Sequence, residues 1–504
     1  MTSPEPIAIP SRSSFRVAVI GGGITGLAAA HRLREMAATL DRPLEVTLFE
    51  AGSRVGGVFE TREVEGYRVE CGADSFITNK PWAIDLCRRV GLESRLVPTD
   101  ATYRRALVLR AGLPVDVPEG FQLLAPTKLT ALLRSPIFSP WGKLRIAIEA
   151  VLPRGTERDD ESLADFVRRR FGREALERLV QPLVGGIYTS DPERLSLRAT
   201  LPRFLEFERD FGSVIRGLRR QSKMAARRDE SASGARYGLF ATLAGGMSEL
   251  QDALTDRIRL HDAIHLSASV SGIQYSHDGY KLTLESGSSS PATLNSQLST
   301  PFDAVIVAVP AYRAADLVQP FAIDLAEKLR RIEYASTAIV VSGHKLADVR
   351  HPLDAFGLVI PAIERRQILA VSFTSRKFPN RAPPDCVQLR TFVGGAMQPE
   401  LFGLPDDELL AIVRRELEQL LGVTWRPDFA LVARHSQSMP QYYVGHLRLV
   451  AEIEAEAARH ARLVLAGNAF HGVGLPDCIH SGEQAAERIA NSLRGKTNGK
   501  ATIG

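Results

Sequence analysis

Six residues near the start of the chain, Gly21, Gly22, Gly23, Ile24, Thr25 and Gly26, have the types and spacing to hold a pyrophosphate. Gly21 permits a tight turn, Gly23 lets the backbone approach the anion, and Gly26 allows a helix to sit close on a strand. Thr25 adds a hydroxyl donor. A helix starting at Ile24 presents free N–H groups and roughly half a positive charge to the phosphates. Further along, Glu50 can accept both hydroxyls of an adenosine ribose, and its charge repels a phosphorylated ribose. The chemistry implied is dinucleotide binding.

Two strands and a helix must place these residues. Arg16 to Ile20 reads as a buried parallel strand, and Ile24, Leu27, Ala28 and Leu33 recur at helical spacing. Leu44 to Phe49 reads as a second strand ending at Glu50, and the loop Met36 to Pro43 makes the interval from Gly26 slightly longer than the usual ~20 residues. A second glycine-rich segment, LVLAGNAFHGVGLPDCI at Leu463 to Ile479, lies at the other end of the chain.

With 504 residues, 44% hydrophobic and 24% charged, the chain can bury a sizeable core and form two or three domains. The net charge is only +5, from 63 basic and 58 acidic residues, and no long block of one sign suggests nucleic acid. Arg168, Arg169 and Arg170 read as a solvated face. The four cysteines, Cys71, Cys87, Cys386 and Cys478, are widely spaced, which argues against a disulfide framework or metal ribbon and for a reducing compartment. The segment MTSPEPIAIPSRSS reads as a disordered lead-in, and no stretch approaches the ~20 apolar residues of a spanning helix. His261 and His265 have metal-ligand spacing on a helix, but no third ligand accompanies them, so no metal is expected.

Helical patterns dominate Ala101 to Arg236, including Ser162 to Arg170, with Leu163, Phe166 and Val167 on one face and Ser162 with Asp165 as a capping pair. Gln221 to Ala235 is polar and reads as a loop. Strands are expected at Ile264 to Gln274, Tyr280 to Glu285 and Ala304 to Val309, with a Ser-rich insertion at Ser286 to Thr300. An antiparallel sheet over Ala338 to Val393 and a helix over Asp406 to Leu421 follow.

The segment EAGSRVGG, with Arg54, Gly56 and Gly57 after Glu50, is similar to flavin-dependent amine-oxidase-like proteins, in which the arginine and glycines hold the pyrophosphate from the other side. GADSF at Gly72, QPLVGGIYTSDP at Gln181, LAGGM at Leu243, MPQYYVGH at Met439 and GVGLPDCI at Gly472 narrow the likeness. From Arg16 to Arg488 the chain resembles the oxygen-dependent protoporphyrinogen oxidases, including the bacterial coproporphyrinogen oxidases.

That resemblance implies non-covalent FAD and oxidation of a porphyrinogen, protoporphyrinogen IX or alternatively coproporphyrinogen III, in three two-electron steps. Dioxygen is the final acceptor and hydrogen peroxide the by-product. It places Gly72, Ala73, Asp74 and Ser75 along the flavin ring, Ala51 and Val58 on the cofactor, and the Val270 backbone at the adenine. Val473, Gly474 and Leu475 close the flavin's pyrimidine end, and His435 stands where many relatives have a tryptophan. Arg105, or its neighbour Arg104, faces a propionate; the Gly186 carbonyl faces the pyrrole N–H groups; Val359 and Phe392 sandwich the rings; Asp74 belongs to this substrate pocket as well as to the flavin loop. No dedicated acid or base is implied. Amine oxidases and carotenoid desaturases share the glycine-rich ends but not the internal segments, and a non-enzymatic dinucleotide-binding protein is the remaining alternative.

The fold class expected is α/β with an α+β character overall: a discontinuous Rossmann-like FAD domain, an antiparallel-sheet substrate domain and a helical subdomain like a membrane-docking one. The lead-in is 1–14, the FAD domain 15–100, 237–312 and 431–495, the helical subdomain with part of the substrate domain 101–236, the substrate domain 313–430 and the tail 496–504. Trp141, Leu144, Ile148 and Leu152 form a helical stripe that fits either a membrane surface or a satellite core. The expected location is cytoplasmic, with peripheral contact at the inner face of the cytoplasmic membrane left open. Ferrochelatase is the expected recipient of the product, and a homodimer is left open.

Overall fold

The computed structural model describes residues 14–155, 159–229, 239–285 and 300–494. Its first sheet is five-stranded and parallel, in the order Ala263–His265, Leu44–Phe49, Phe15–Ile20, Ala304–Val307, Leu463–Leu465. Phe15–Ile20 is buried along its whole length, as a central parallel strand covered on both faces must be. On one face lie the helices Ile24–Met36, Ser248–Arg259 and Leu475–Leu493. On the other lie the helices Ala311–Val318, Ile323–Arg330 and His446–Ala457, with the strand pair Val270–Ser276 and Gly279–Leu284.

The second sheet has seven strands, in the order Phe429–Pro440, Tyr334–Lys345, Cys386–Gly394, Ala370–Phe373, Gly357–Val359, Leu107–Arg110, Leu113–Asp116. All its pairings are antiparallel except Gly357–Val359 with Leu107–Arg110. Helix Asp406–Leu421, with the bounds its apolar spacing predicts, covers one face through Leu409, Val413 and Leu417. A helical unit packs around Phe166, Val167, Leu179 and Phe204.

Within that unit Ser162 Oγ accepts from the Asp165 amide at 3.0 Å and starts helix Leu163–Phe171. The three arginines that follow are not a uniformly solvated face. Arg170 is 1% exposed and paired with Glu149, and Arg169 bridges Glu161 and Glu208, because the helix turns that side into its neighbours. Helix Val214–Asp229 also runs through most of the polar stretch expected as a loop, since Gln, Lys, Met, Ala and Arg are good helix formers; 230–235 lie outside the described residues. The Ser-rich insertion lies outside them too, apart from Thr300.

Ile264 to Gln274 is two strands in two sheets, broken where Ser267 takes a φ of +51°. His265 therefore lies on a strand, not on a helix with His261. The expected boundaries also move. Ala311–Val318 and Ile323–Arg330 share a core with Ala18, Phe49 and Val305 of the parallel sheet, so the first unit continues past 312. Position 431 falls inside Phe429–Pro440, which pairs with Tyr334–Lys345. Leu107–Asp116, within the 101–236 stretch expected to combine the helical subdomain with part of the substrate domain, supplies two strands of the large sheet.

Candidate flavin site and substrate face

The glycine turn has the tight geometry its residue types require. Gly21 has φ +106°, and a Cβ there would stand 2.5 Å from the Ala308 carbonyl oxygen; one at Gly26 would stand 1.9 Å from that of Gly21. A Cβ at Gly23, by contrast, would meet nothing within 4 Å. Gly23 is the N-cap of helix Ile24–Met36 and offers no side-chain cap, so the first-turn N–H groups face this open space. A second glycine turn closes alongside: the Gly56 amide donates to the Gly22 carbonyl at 2.8 Å, and Gly57 lies against Gly23. The open cradle at the helix start fits a pyrophosphate.

Glu50 sits at the end of its strand with one carboxylate oxygen accepting from the Gly22 amide at 2.6 Å and the other from the Gly52 amide at 2.7 Å. The Ala268 amide donates to the Glu50 carbonyl at 2.8 Å, which brings the strand starting at Val270 close to Glu50; Ala51 is exposed there. Arg54 donates to the carbonyls of Val55, Phe59 and Gly57 at 3.1, 2.6 and 2.9 Å. Its guanidinium shapes the second glycine turn.

Helix Leu475–Leu493 meets the first helix at the same place. The Thr25 hydroxyl reaches the Cys478 thiol, and a Cβ on Gly482 would stand 2.2 Å from the Thr25 carbonyl oxygen. Gly474 caps this helix without a side-chain bond, with Val473 and Leu475 on either side. Lys80 holds Asp477 in its first turn at 2.6 Å. Burial pushes the Cys478 thiol up to about 12, so it stays protonated.

The Gly72–Ser75 loop lies against Val58, whose carbonyl oxygen would be 1.7 Å from a Cβ on Gly72. Asp74 receives Ser75 Oγ at 2.7 Å, Lys377 Nζ at 3.3 Å and Arg390 Nη1 at 3.0 Å, and Ala73 packs on the first core. Burial opposes ionisation, but the Lys377 ammonium and the Arg390 guanidinium together hold the Asp74 carboxyl far below the usual carboxylate range. Arg390 also donates to the Gly72 carbonyl. His435 donates through Nε2 to the Cys71 carbonyl at 2.8 Å, and burial lowers its basicity. A cavity of about 390 Å³ opens here between Val58, Gly57, Cys71 and His435.

Sheet register places the apolar candidates. Val359 pairs with Ala370, Ala370 with Phe392, and Phe392 with Ile339, and paired residues share a face. This row lies opposite the face covered by helix Asp406–Leu421. Arg390 is one pleat from the row on one side and His435 one pleat away on the other. Their bonds to Gly72 and Cys71 therefore lay the loop diagonally across the face that carries Val359 and Phe392. Helix Gln181–Tyr188 covers the Val359 end, where the Ala362 amide donates to Gln181 at 2.9 Å and a Cβ at Gly186 would meet nothing within 4 Å.

Arg105 lies at the rim. Its side chain is 45% exposed and pairs with Asp354 and, at 3.2 Å, with Asp116; Arg104 is exposed beside it. The sequence reading missed Lys377 and Arg390. The available signal for Arg390 was a charged residue within the mostly apolar strand Cys386–Gly394. Among the described residues no cluster of His, Cys, Asp or Glu could hold a metal ion.

Residues 24–490 match the family model described as flavin containing amine oxidoreductase. The chain is 34% identical over 470 residues to a coproporphyrinogen III oxidase of Bacillus subtilis (strain 168), covering 93% of this chain and 96% of the relative. It is 30% identical over 516 residues to protoporphyrinogen oxidase 2, chloroplastic/mitochondrial, of Arabidopsis thaliana, covering 98% and 97%. A crystal structure from Exiguobacterium sp. 255-15, provisionally named a protoporphyrinogen oxidase, superposes with a TM-score of 0.82 at 28% identity, covering 95% of this chain and 100% of that one. A flavin fits the open glycine cradle, the Glu50 carboxylate beside it and the two converging helix starts, and the chain belongs to the flavin-containing amine oxidoreductases.

Proposed function

We propose that this protein binds FAD non-covalently and oxidises a porphyrinogen, with dioxygen as acceptor. The observation that carries the reading is the Val359–Ala370–Phe392 row, an apolar sheet face crossed by the Cys71–Ser75 loop. The flavin, when bound, supplies the two-electron acceptor and passes those electrons to dioxygen. The protein's own residues bind and orient. Val359 and Phe392 desolvate the rings, the open Gly186 position leaves room for the substrate, and Arg390 with His435 fixes the loop that separates substrate from cofactor. Asp74 stays ionised between two cations and so holds the loop without taking part in proton transfer.

Three hydride-and-proton losses convert porphyrinogen to porphyrin, and three dioxygen molecules become three hydrogen peroxides. The macrocycle can release protons through its own N–H groups. Two substrates suit the site, protoporphyrinogen IX and coproporphyrinogen III. The second gains support from bacterial relatives of that name at 34% and 33% identity. An iron-inserting ferrochelatase is the natural recipient of either product.

A membrane-surface role is part of the proposal. Helix Pro140–Ile148 turns Trp141, Leu144 and Ile148 to solvent, with Leu133 and Val151 beside them, and buries Gly142 and Ile146 instead. A satellite core does not account for a stripe that faces outward. Among the described residues no helix is long and apolar enough to cross a membrane. The deciding experiment is anaerobic mixing of the yellow protein with each porphyrinogen in turn. Bleaching of the flavin by one of them is the expected result, and no bleaching by either overturns the reading.

A further inference from the structure

The segment Met439–His446, MPQYYVGH, has no role in the site so far. It leaves the large sheet at Pro440 and runs between the helical unit and the loop that precedes helix Leu475–Leu493. Tyr442 is 2% exposed. Its hydroxyl donates to the Asn468 carbonyl at 2.5 Å and accepts from the Gly472 amide at 2.8 Å. Its ring stacks on His446, with centroids 3.8 Å apart and planes 14° from parallel. His446 Nε2 lies 3.1 Å from the Phe470 carbonyl, and since a carbonyl only accepts, that nitrogen carries the hydrogen. One stacked pair thus holds Asn468, Phe470 and Gly472.

We propose that Tyr442 and His446 are positioning residues that fix the closing loop Asn468–Gly474, and with it the start of helix Leu475–Leu493, against the flavin. A connection between a strand and a helix has no ladder of its own, and its buried backbone groups need outside partners. Here two side chains supply three of them. The same segment is tied on its other side to the helical unit: the Ser196 amide donates to the Tyr442 carbonyl at 2.8 Å, the Val444 amide to the Arg194 carbonyl at 2.8 Å, and the Gly445 amide to Asp160 at 2.9 Å. The segment therefore sets the flavin loop relative to the unit that covers the substrate face. Burial keeps His446 neutral, lowered to about 4, so its single donor does not change through the working pH range.

The inference rests on flavin binding and not on the identity of the substrate. The test uses Tyr442→Phe, which keeps the ring and its stacking but removes the hydroxyl, with Tyr443→Phe as the control. Loss of a buried pair of hydrogen bonds should weaken FAD binding to apoprotein about tenfold. It should also shift the long-wavelength flavin band and the flavin midpoint potential, and slow anaerobic flavin reduction while KM for the porphyrinogen stays within twofold. His446→Gln, which can still donate to Phe470, should retain most of the wild-type behaviour, whereas His446→Leu should not. If Tyr442→Phe does not fold, the His446 pair reads the same quantities. Unchanged FAD affinity, spectrum and potential in folded Tyr442→Phe and His446→Leu, with only a lower Tm, would overturn the proposal. Failure of wild-type protein to oxidise either porphyrinogen would remove the substrate reading and leave this one standing.

Discussion

Glu50 accepts from Gly22 through one oxygen and from Gly52 through the other, so its carboxylate braces the glycine turn; in the proposed function it also holds the ribose of FAD. Glu50→Ala is expected to weaken FAD binding by roughly 1–3 kcal/mol, from lost charge-assisted hydrogen bonds. Titration of apoprotein with FAD measures this, and unchanged affinity refutes it. Arg105 illustrates the opposite case, a cation already paired. Because its guanidinium is exposed and shared between Asp354 and Asp116, a propionate there gains on the order of 1 kcal/mol. Arg105→Ala should raise KM by up to about tenfold with little change in turnover; if Arg104→Ala has that effect instead, the neighbour is the anchor. Glycines and the acid were legible in the sequence because their spacing is local. Arg390 and Lys377 were not, because the carboxylate they surround, Asp74, lies some three hundred residues earlier in the chain.

At the scale of elements, periodicity fixed the first strand–turn–helix and helix Asp406–Leu421, where the apolar positions face a single core. It misplaced the break at Ser267, where a left-handed residue moves the chain from one sheet to another. It also left the stripe on helix Pro140–Ile148 ambiguous, since spacing alone does not say which side is wet. With Trp141 79% exposed, Trp141→Ser combined with Leu144→Ser should leave Tm within about 2 °C. The same pair of changes should abolish co-sedimentation with anionic lipid vesicles. Retained vesicle binding would remove the membrane-surface reading.

The whole molecule carries an acid sensitivity. Burial disfavours the imidazolium of His344 and His446, and each is lowered from 6.5 to about 4. Between those values the unfolded chain binds more protons than the folded one, so stability is full above about pH 6.5 and falls as pH drops towards 4. Each histidine contributes on the order of 3 kcal/mol to that fall. Urea unfolding at pH 7, 6 and 5 should show a steady decrease, and a flat profile would contradict it. A second whole-chain property follows from helix Leu475–Leu493 being the partner of Ile24–Met36. During synthesis the first helix leaves the ribosome long before its partner exists, and the side of the pocket that helix Leu475–Leu493 supplies is missing until several hundred more residues have been made. Flavin uptake therefore waits for that helix: nascent chains stalled before Leu475 should be colourless once free FAD is removed, while chains that include Leu475–Leu493 should keep a yellow flavin through the same removal.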